Sequence, residues 1–151
     1  MKRMFAYCTI ALLLLASGIL AEEKEATIAL KDLPPAVQKS VQDFGKGAKL
    51  MGITKGEENG KTVYGVATYK GGISRDAVID EAGEILEIEE SSNINKTPGN
   101  AKAALENAAA GGKIIKVDTI TRNGVTVYKA VIKKDGKNIE VKASLEGMII
   151  S

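Results

Sequence analysis

The 151-residue chain has no histidine, no tryptophan and one cysteine, and its aromatics amount to two Phe and four Tyr. Without histidine there is no Ser-His-Asp or Cys-His catalysis and no imidazole ligand for zinc, copper or haem. Nor is there a side chain that ordinarily titrates near neutrality. Cys8 stands alone near the start, which excludes a disulfide framework and a thiolate cluster. Charge of one sign is also missing, with 21 Lys+Arg against 19 Asp+Glu. At 44% hydrophobic and 26% charged the composition is that of a globular chain.

Residues 1–21 read as a signal peptide. Lys2 and Arg3 form a positive start, residues 10–16 are apolar, and small residues follow at Ala16-Ser17-Gly18 and Ala21. Cleavage after Gly18 places Ala16 at the −3 position and cleavage after Ala21 places Ile19 there, so the site stays open. The competing reading is an uncleaved anchor, because residues 4–21 are uncharged and reach the minimum length of a bilayer span. Cys8 precedes the apolar stretch, so the sequence has no lipoprotein box. Loss of Lys2 and Arg3 leaves 19 basic residues against 19 acidic ones. A neutral mature chain argues against nucleic acid, and against a membrane surface once the signal is removed, since both require a basic surface. The expected location is periplasmic or secreted.

The remainder is one unit written twice. Sliding the chain by 64 residues aligns 33–87 with 97–151 without a gap, and twelve of the 55 pairs are identical. Asn59-Gly60-Lys61-Thr62-Val63-Tyr64 matches Asn123-Gly124-Val125-Thr126-Val127-Tyr128, and Pro34, Gly47, Lys49, Gly72 and Gly83 recur as Pro98, Gly111, Lys113, Gly136 and Gly147. Identities concentrated at turn residues mark a duplicated supersecondary unit. Each unit opens with a proline-initiated helix. Val37, Val41 and Phe44 make one apolar stripe in the first, and Ala101, Leu105 and Ala108 in the second, where Thr97 is the expected cap. Four short strands follow, at 49–55, 61–70, 74–79 and 85–89, then at 113–119, 125–134, 138–143 and 148–150. Asn-Gly opens the second strand of each set. The expected fold class is α+β: two tandem units of a helix and a four-stranded antiparallel sheet, with the helices on one sheet face. The boundaries are 1–21 for the signal, 22–90 for the first unit, 91–96 for a polar linker and 97–151 for the second unit. Units this small are marginal alone, so the sheets are expected to join edge to edge or the helices to share a core.

Strand alternation separates the two sheet faces. One parity holds Met51, Ile53, Tyr64, Val66, Ala77 and Ile79, with Ile115, Val117, Tyr128, Ala130, Ile132, Ile139, Val141 and Ala143 in the repeat. This set is expected beneath the helices. The other parity holds Leu50, Val63, Ala67 and Tyr69, with Ile114, Val127, Lys129 and Val131. It is the candidate partner-binding face, because one helix layer leaves it open and it is more apolar than solvent exposure needs. A protein partner or a second copy of the chain is the expected occupant.

The acidic spots Glu57-Glu58, Asp80-Glu81 and 87–90 fall at turn tips or a strand end, where solvated charge is the ordinary state. General acid–base chemistry needs carboxylates converging in a pocket with separated pKa values. Asp80 to Glu84 matches no EF-hand spacing. Catalytic residues, metal ligands and cofactors are therefore expected to be none. The alternative to a protein-binding role is a small-ligand or cation binder that uses the acidic turns.

Leu33-Pro34-Pro35-Ala36-Val37, Lys49, Asn59 to Tyr64, and Asp80-Glu81-Ala82-Gly83-Glu84-Ile85-Leu86 resemble the PepSY-like repeat. The second copy shows the resemblance in Asn123 to Tyr128 and Asp135 to Val141. Nearly all of the mature chain is covered, by motifs of turns and core. Such repeats are similar in architecture to the β-lactamase inhibitory proteins, in which a joined sheet grips an enzyme, and PepSY domains occur in peptidase propeptides. The resemblance implies a secreted, non-enzymatic binding protein that inhibits or regulates an envelope enzyme, and it supplies no catalytic residues.

Overall fold

The computed structural model describes residues 26–151. The signal peptide read at residues 1–21 lies outside them. Elements follow in the order β1 (Ala26–Thr27), α1 (Pro35–Phe44), β2 (Lys49–Glu58), β3 (Lys61–Lys70), β4 (Ile73–Asp80) and β5 (Ile85–Ser92). The chain continues with α2 (Gly99–Ala108), β6 (Lys113–Arg122), β7 (Val125–Lys134) and β8 (Lys137–Ser144). A single 3-10 turn precedes each helix, at Leu30–Asp32 and Ile94–Lys96.

All eight strands form one antiparallel sheet in chain order. The two four-stranded sets expected from the repeat are thus joined edge to edge, one of the two arrangements expected for them, with the short β1 added at the outer edge. The join is β5 on β6, from Glu87 opposite Arg122 to Ser92 opposite Val117. Its register is the register of β1 on β2 moved by 64 residues: Ala26 faces Lys55 as Glu90 faces Thr119. Residues 91–96, expected as a linker, are part of the framework. Ser91 and Ser92 finish β5, and the Asn93 side chain accepts from Asn95 and Lys96 to cap the following turn. Thr97 does not cap α2; its hydroxyl donates to the Asn93 carbonyl. At the carboxyl end, the expected eighth strand is reduced to a bridge between Ala143 and Ile149.

The Asn-Gly turns fold as the sequence dictates. Asn59 and Gly60 have φ of 52° and 76°, and Asn123 and Gly124 have 51° and 76°. Two positive values in succession define the turn whose twist matches a hairpin. Gly83 and Gly147, with φ of 83° and 86°, are needed for closeness as well: a Cβ on either would lie 2.7 Å from a carbonyl oxygen, of Ala36 or Asn100, at the start of a helix.

Each helix covers its own core on one face of the sheet. Val37, Val41 and Phe44 of α1 pack on Ile53, Tyr64, Val66, Ala77 and Ile79. Ala101 and Leu105 of α2, with Ala109, pack on Val117, Ala130, Ile132 and Ala143. Burying one such aliphatic side chain contributes about 1.5–3 kcal/mol. Arg75, which stands where the repeat has Ile139, lays its guanidinium 4.6 Å from the centre of the Phe44 ring and reaches Glu90 at 3.4 Å.

Candidate binding face

Residues directly opposite one another on paired strands share a face, so the register tests the face assignment. Bulges at Met51 and Ile115 break the alternation in β2 and β6. Leu50 therefore stands opposite buried Thr68, and Ile114 opposite buried Ile132, both on the helix side. Two of the expected binding-face residues are thus misplaced by one extra residue per strand. Ile114 packs on the second core. Met51, Ile115 and Ile139, expected in the core, are exposed.

Val63, Ala67, Tyr69, Val127, Lys129 and Val131 do lie on the uncovered face. They do not form an apolar patch. Val63 is only 4% exposed, although no helix covers it. Ala67 lies between Gly52 and Asp76, and Val131 between Lys116 and Glu140. Val127 faces Ile120 and Ser144, and Tyr69, 46% exposed, stands at the sheet margin beside Lys49 and Ser74.

Val63 is buried because the sheet curls over this face. Strands β2 and β6 have three strands between them, a separation of roughly 19 Å in a flat sheet. Yet the Arg122 guanidinium donates to both oxygens of Glu58, at 2.6 and 3.0 Å, and its Nε donates to Glu87 at 2.9 Å. Glu58 and Arg122 are 64 residues apart, the length of the repeat. The same position in the two units has taken opposite charges, and the pair holds one end of the sheet closed. The Glu58 hydrogen bond, then that of Glu87, raises the Arg122 pKa against the opposing effect of burial. Between the two Asn-Gly turns lies a shallow cleft of about 230 Å³ lined by Glu58, Val63, Asp80, Leu86 and Arg122. Neither Arg122 nor Glu58 belongs to the expected set. Their signal was in the sequence: opposite charges at equivalent positions next to equivalent turns.

The middle of the face is ionic. Asp118, only 1% exposed, receives Lys116 at 2.9 Å and Lys129 at 3.6 Å. Lys129 also bonds Glu89, which Lys116 approaches at 3.8 Å. Burial is the largest influence on Glu89 and raises its pKa above the ordinary carboxyl value, even with Lys129 beside it. Burial works against the charge on Lys129, but the Glu89 hydrogen bond and the nearby Glu89, Asp118 and Glu140 charges outweigh it, and its pKa is raised. At the β4–β5 turn the Asp80 carboxylate accepts from the backbone N–H groups of Ala82 and Glu84. Its oxygen is engaged by its own turn.

The fold is shared with solved structures. A protein described as periplasmic, from Bacteroides eggerthii, superposes with a TM-score of 0.65 at 12% identity, over 79% of this chain and 86% of that one. A DUF2874 family protein from Bacteroides uniformis gives 0.64 at 13%, over 78% and 86%. A BLIP-like protein from Bacteroides fragilis gives 0.59 at 19%, over 79% and 84%. The likeness is one of fold. No family model and no curated protein matches the sequence.

Proposed function

We propose that this chain is a periplasmic, non-enzymatic binding protein that grips a protein partner with its curled sheet face and Asn-Gly turns, as an inhibitor or regulator of an envelope enzyme. The observation that carries the reading is the curl itself, fixed by Arg122 between Glu58 and Glu87. It makes a preformed concave surface, and preformed surfaces bind with less ordering cost. The periplasmic location rests on the signal peptide read at residues 1–21 and on the company of a neighbour described as periplasmic. The gripping role rests on the PepSY-like resemblance and on the BLIP-like neighbour.

The test begins with a partner captured from the envelope fraction of the native cell. Gly52→Lys then adds the side chain that the repeat carries at Lys116, and a Cβ at Gly52 meets nothing within 4 Å. The fold should be unaffected. Affinity should fall at least about tenfold, as it should for Tyr69→Ala and Val131→Asp, the scale of a hot-spot change. Unchanged affinity in all three variants would show that the partner binds elsewhere.

A further inference from the structure

A chain with nearly balanced charge, 21 Lys+Arg against 19 Asp+Glu, need not spread it evenly over its surface. Antiparallel order brings the start of β2, the β3–β4 turn, the start of β6 and the β7–β8 turn to one end of the sheet. That end carries Lys49 and Lys70 from the first half and Lys113, Lys133, Lys134 and Lys137 from the second. Registers set them side by side, with Lys113 opposite Lys133 and Lys134 opposite Lys137. Most of its carboxylates are paired: Asp43 with Lys39, Glu90 with Arg75, Glu106 at the end of α2 with Lys102, and Glu140 with Lys142, while Asp135 lies in the β7–β8 turn. The opposite end holds Glu57, Asp80, Glu81, Glu84 and Glu146. A ten-residue strand such as β3 is about 33 Å long, several times the roughly 8 Å over which physiological salt screens charge. A surface meeting the basic end does not sense the acidic one.

Large apolar side chains stand among the lysines. Met51, Tyr69, Ile73 and Ile115 are each more than 40% exposed. Tyr69 faces Lys49, and Ile73 faces Lys70. Lysine with tyrosine and aliphatic tips is the composition that seats proteins at the headgroup level of a bilayer, where stems and rings enter the boundary and ammonium groups stay on the phosphates. Part of the basic charge has a local use: the Lys134 Nζ donates to the Ala110 carbonyl just past α2. Among the described residues, the ammonium groups of Lys49, Lys113, Lys133 and Lys137 take part in no side-chain hydrogen bond or ion pair. We infer that the lysine-rich end of this sheet docks on an anionic phospholipid surface, with the cleft between the Asn-Gly turns directed away from it.

The processed chain, without the apolar segment 4–21, is floated with vesicles of phosphatidylglycerol and phosphatidylethanolamine, and with phosphatidylcholine vesicles for comparison. Binding is expected on the anionic vesicles only, and it should weaken as salt is raised. Each lysine at the surface is worth about fivefold, so Lys49→Glu/Lys133→Glu/Lys137→Glu should lower binding at least tenfold. Tyr69→Ser/Ile73→Ser should lower it as well, whereas Lys55→Glu/Lys61→Glu at the other end should not. Thermal unfolding of every variant checks the fold. Binding that is absent, or equal for the wild type and the triple lysine variant, overturns the inference. Equal retention on a soluble polyanion such as heparin, indifferent to Tyr69→Ser/Ile73→Ser, overturns it in favour of a polyanionic partner. Partner affinity of Gly52→Lys and Val131→Asp, which leave Tyr69 in place, reads the proposed function separately from these results.

Discussion

The two halves of the molecule share turns and registers and differ in what they hang on them. Beneath the sheet, the first half presses Val37, Val41 and Phe44 onto Val66 and Ile79. The second offers Ala101 and Leu105 to Ala130 and Ala143, and the equivalent of Phe44, Ala108, is exposed. On the uncovered face the weight is reversed. Gly52, Thr54, Gly56 and Gly65 in the first half become Lys116, Asp118, Ile120 and Lys129 in the second. A duplicated unit keeps its turns because each depends on two or three local residues. Its packed faces drift apart, because each side chain answers only to neighbours in its own half. Here one half has specialised in the core and the other in the charged face.

The largest expected effect comes from erasing the core difference. Ile79→Ala gives the first half the residue that the second holds at Ala143. Ile79 is fully buried, so the change should lower unfolding free energy by about 2–5 kcal/mol, read from urea denaturation. A loss well under this range would mean that the two cores are packed alike. Next is the charge difference at the closed end. Glu58→Arg makes the halves identical there, sets two guanidinium groups against each other and leaves Arg122 with Glu87 alone. The expected loss is about 1–2 kcal/mol, less than for a fully buried pair because Arg122 remains 39% exposed. A stability unchanged by this substitution would deny that the pair holds the curl.

A smaller effect appears with pH. The Glu89 carboxyl is raised above its ordinary 4.5 by burial. As pH rises past 4.5 the unfolded chain loses this proton first, so Glu89 takes stability away until its folded pKa is passed, and the loss then persists. Glu89→Gln removes that slope. The wild-type midpoint minus that of Glu89→Gln should fall from about pH 4 to about pH 7, and a flat or rising difference would contradict the assignment. The smallest effect is expected at the exposed Lys39–Asp43 pair on α1. Lys39→Ala should leave the midpoint unmoved, and any clear loss would show that α1 depends on more than its apolar stripe.

Elements and turns were legible in the sequence because their causes are local: Asn-Gly, the helical stripe at Val37, Val41 and Phe44, and the glycines of the repeat. Most of the face assignment followed from alternation, with Tyr64, Val66, Ala130 and Ile132 where expected. Leu50 and Ile114 went astray because a bulge moves every residue beyond it to the other face, and nothing in Leu50-Met51-Gly52 or Ile114-Ile115-Lys116 announces one. The ionic middle was hidden for another reason. Lys129 was visible as one candidate, but Glu89 and Asp118 come from strands that meet only when the two units join.

The sequence by itself determined that the chain is a duplication of one helix-and-strand unit, that its turns fall where they do, and that chemistry needing histidine or paired cysteines is absent. These depend on composition and on spans of a few residues. Tertiary structure alone decided which of the two expected junctions the units use, that the sheet curls until residues one repeat apart touch, and that a cluster of lysines gathers at one end. Those outcomes rest on pairing between distant strands and on accumulated twist. No window of the sequence contains either.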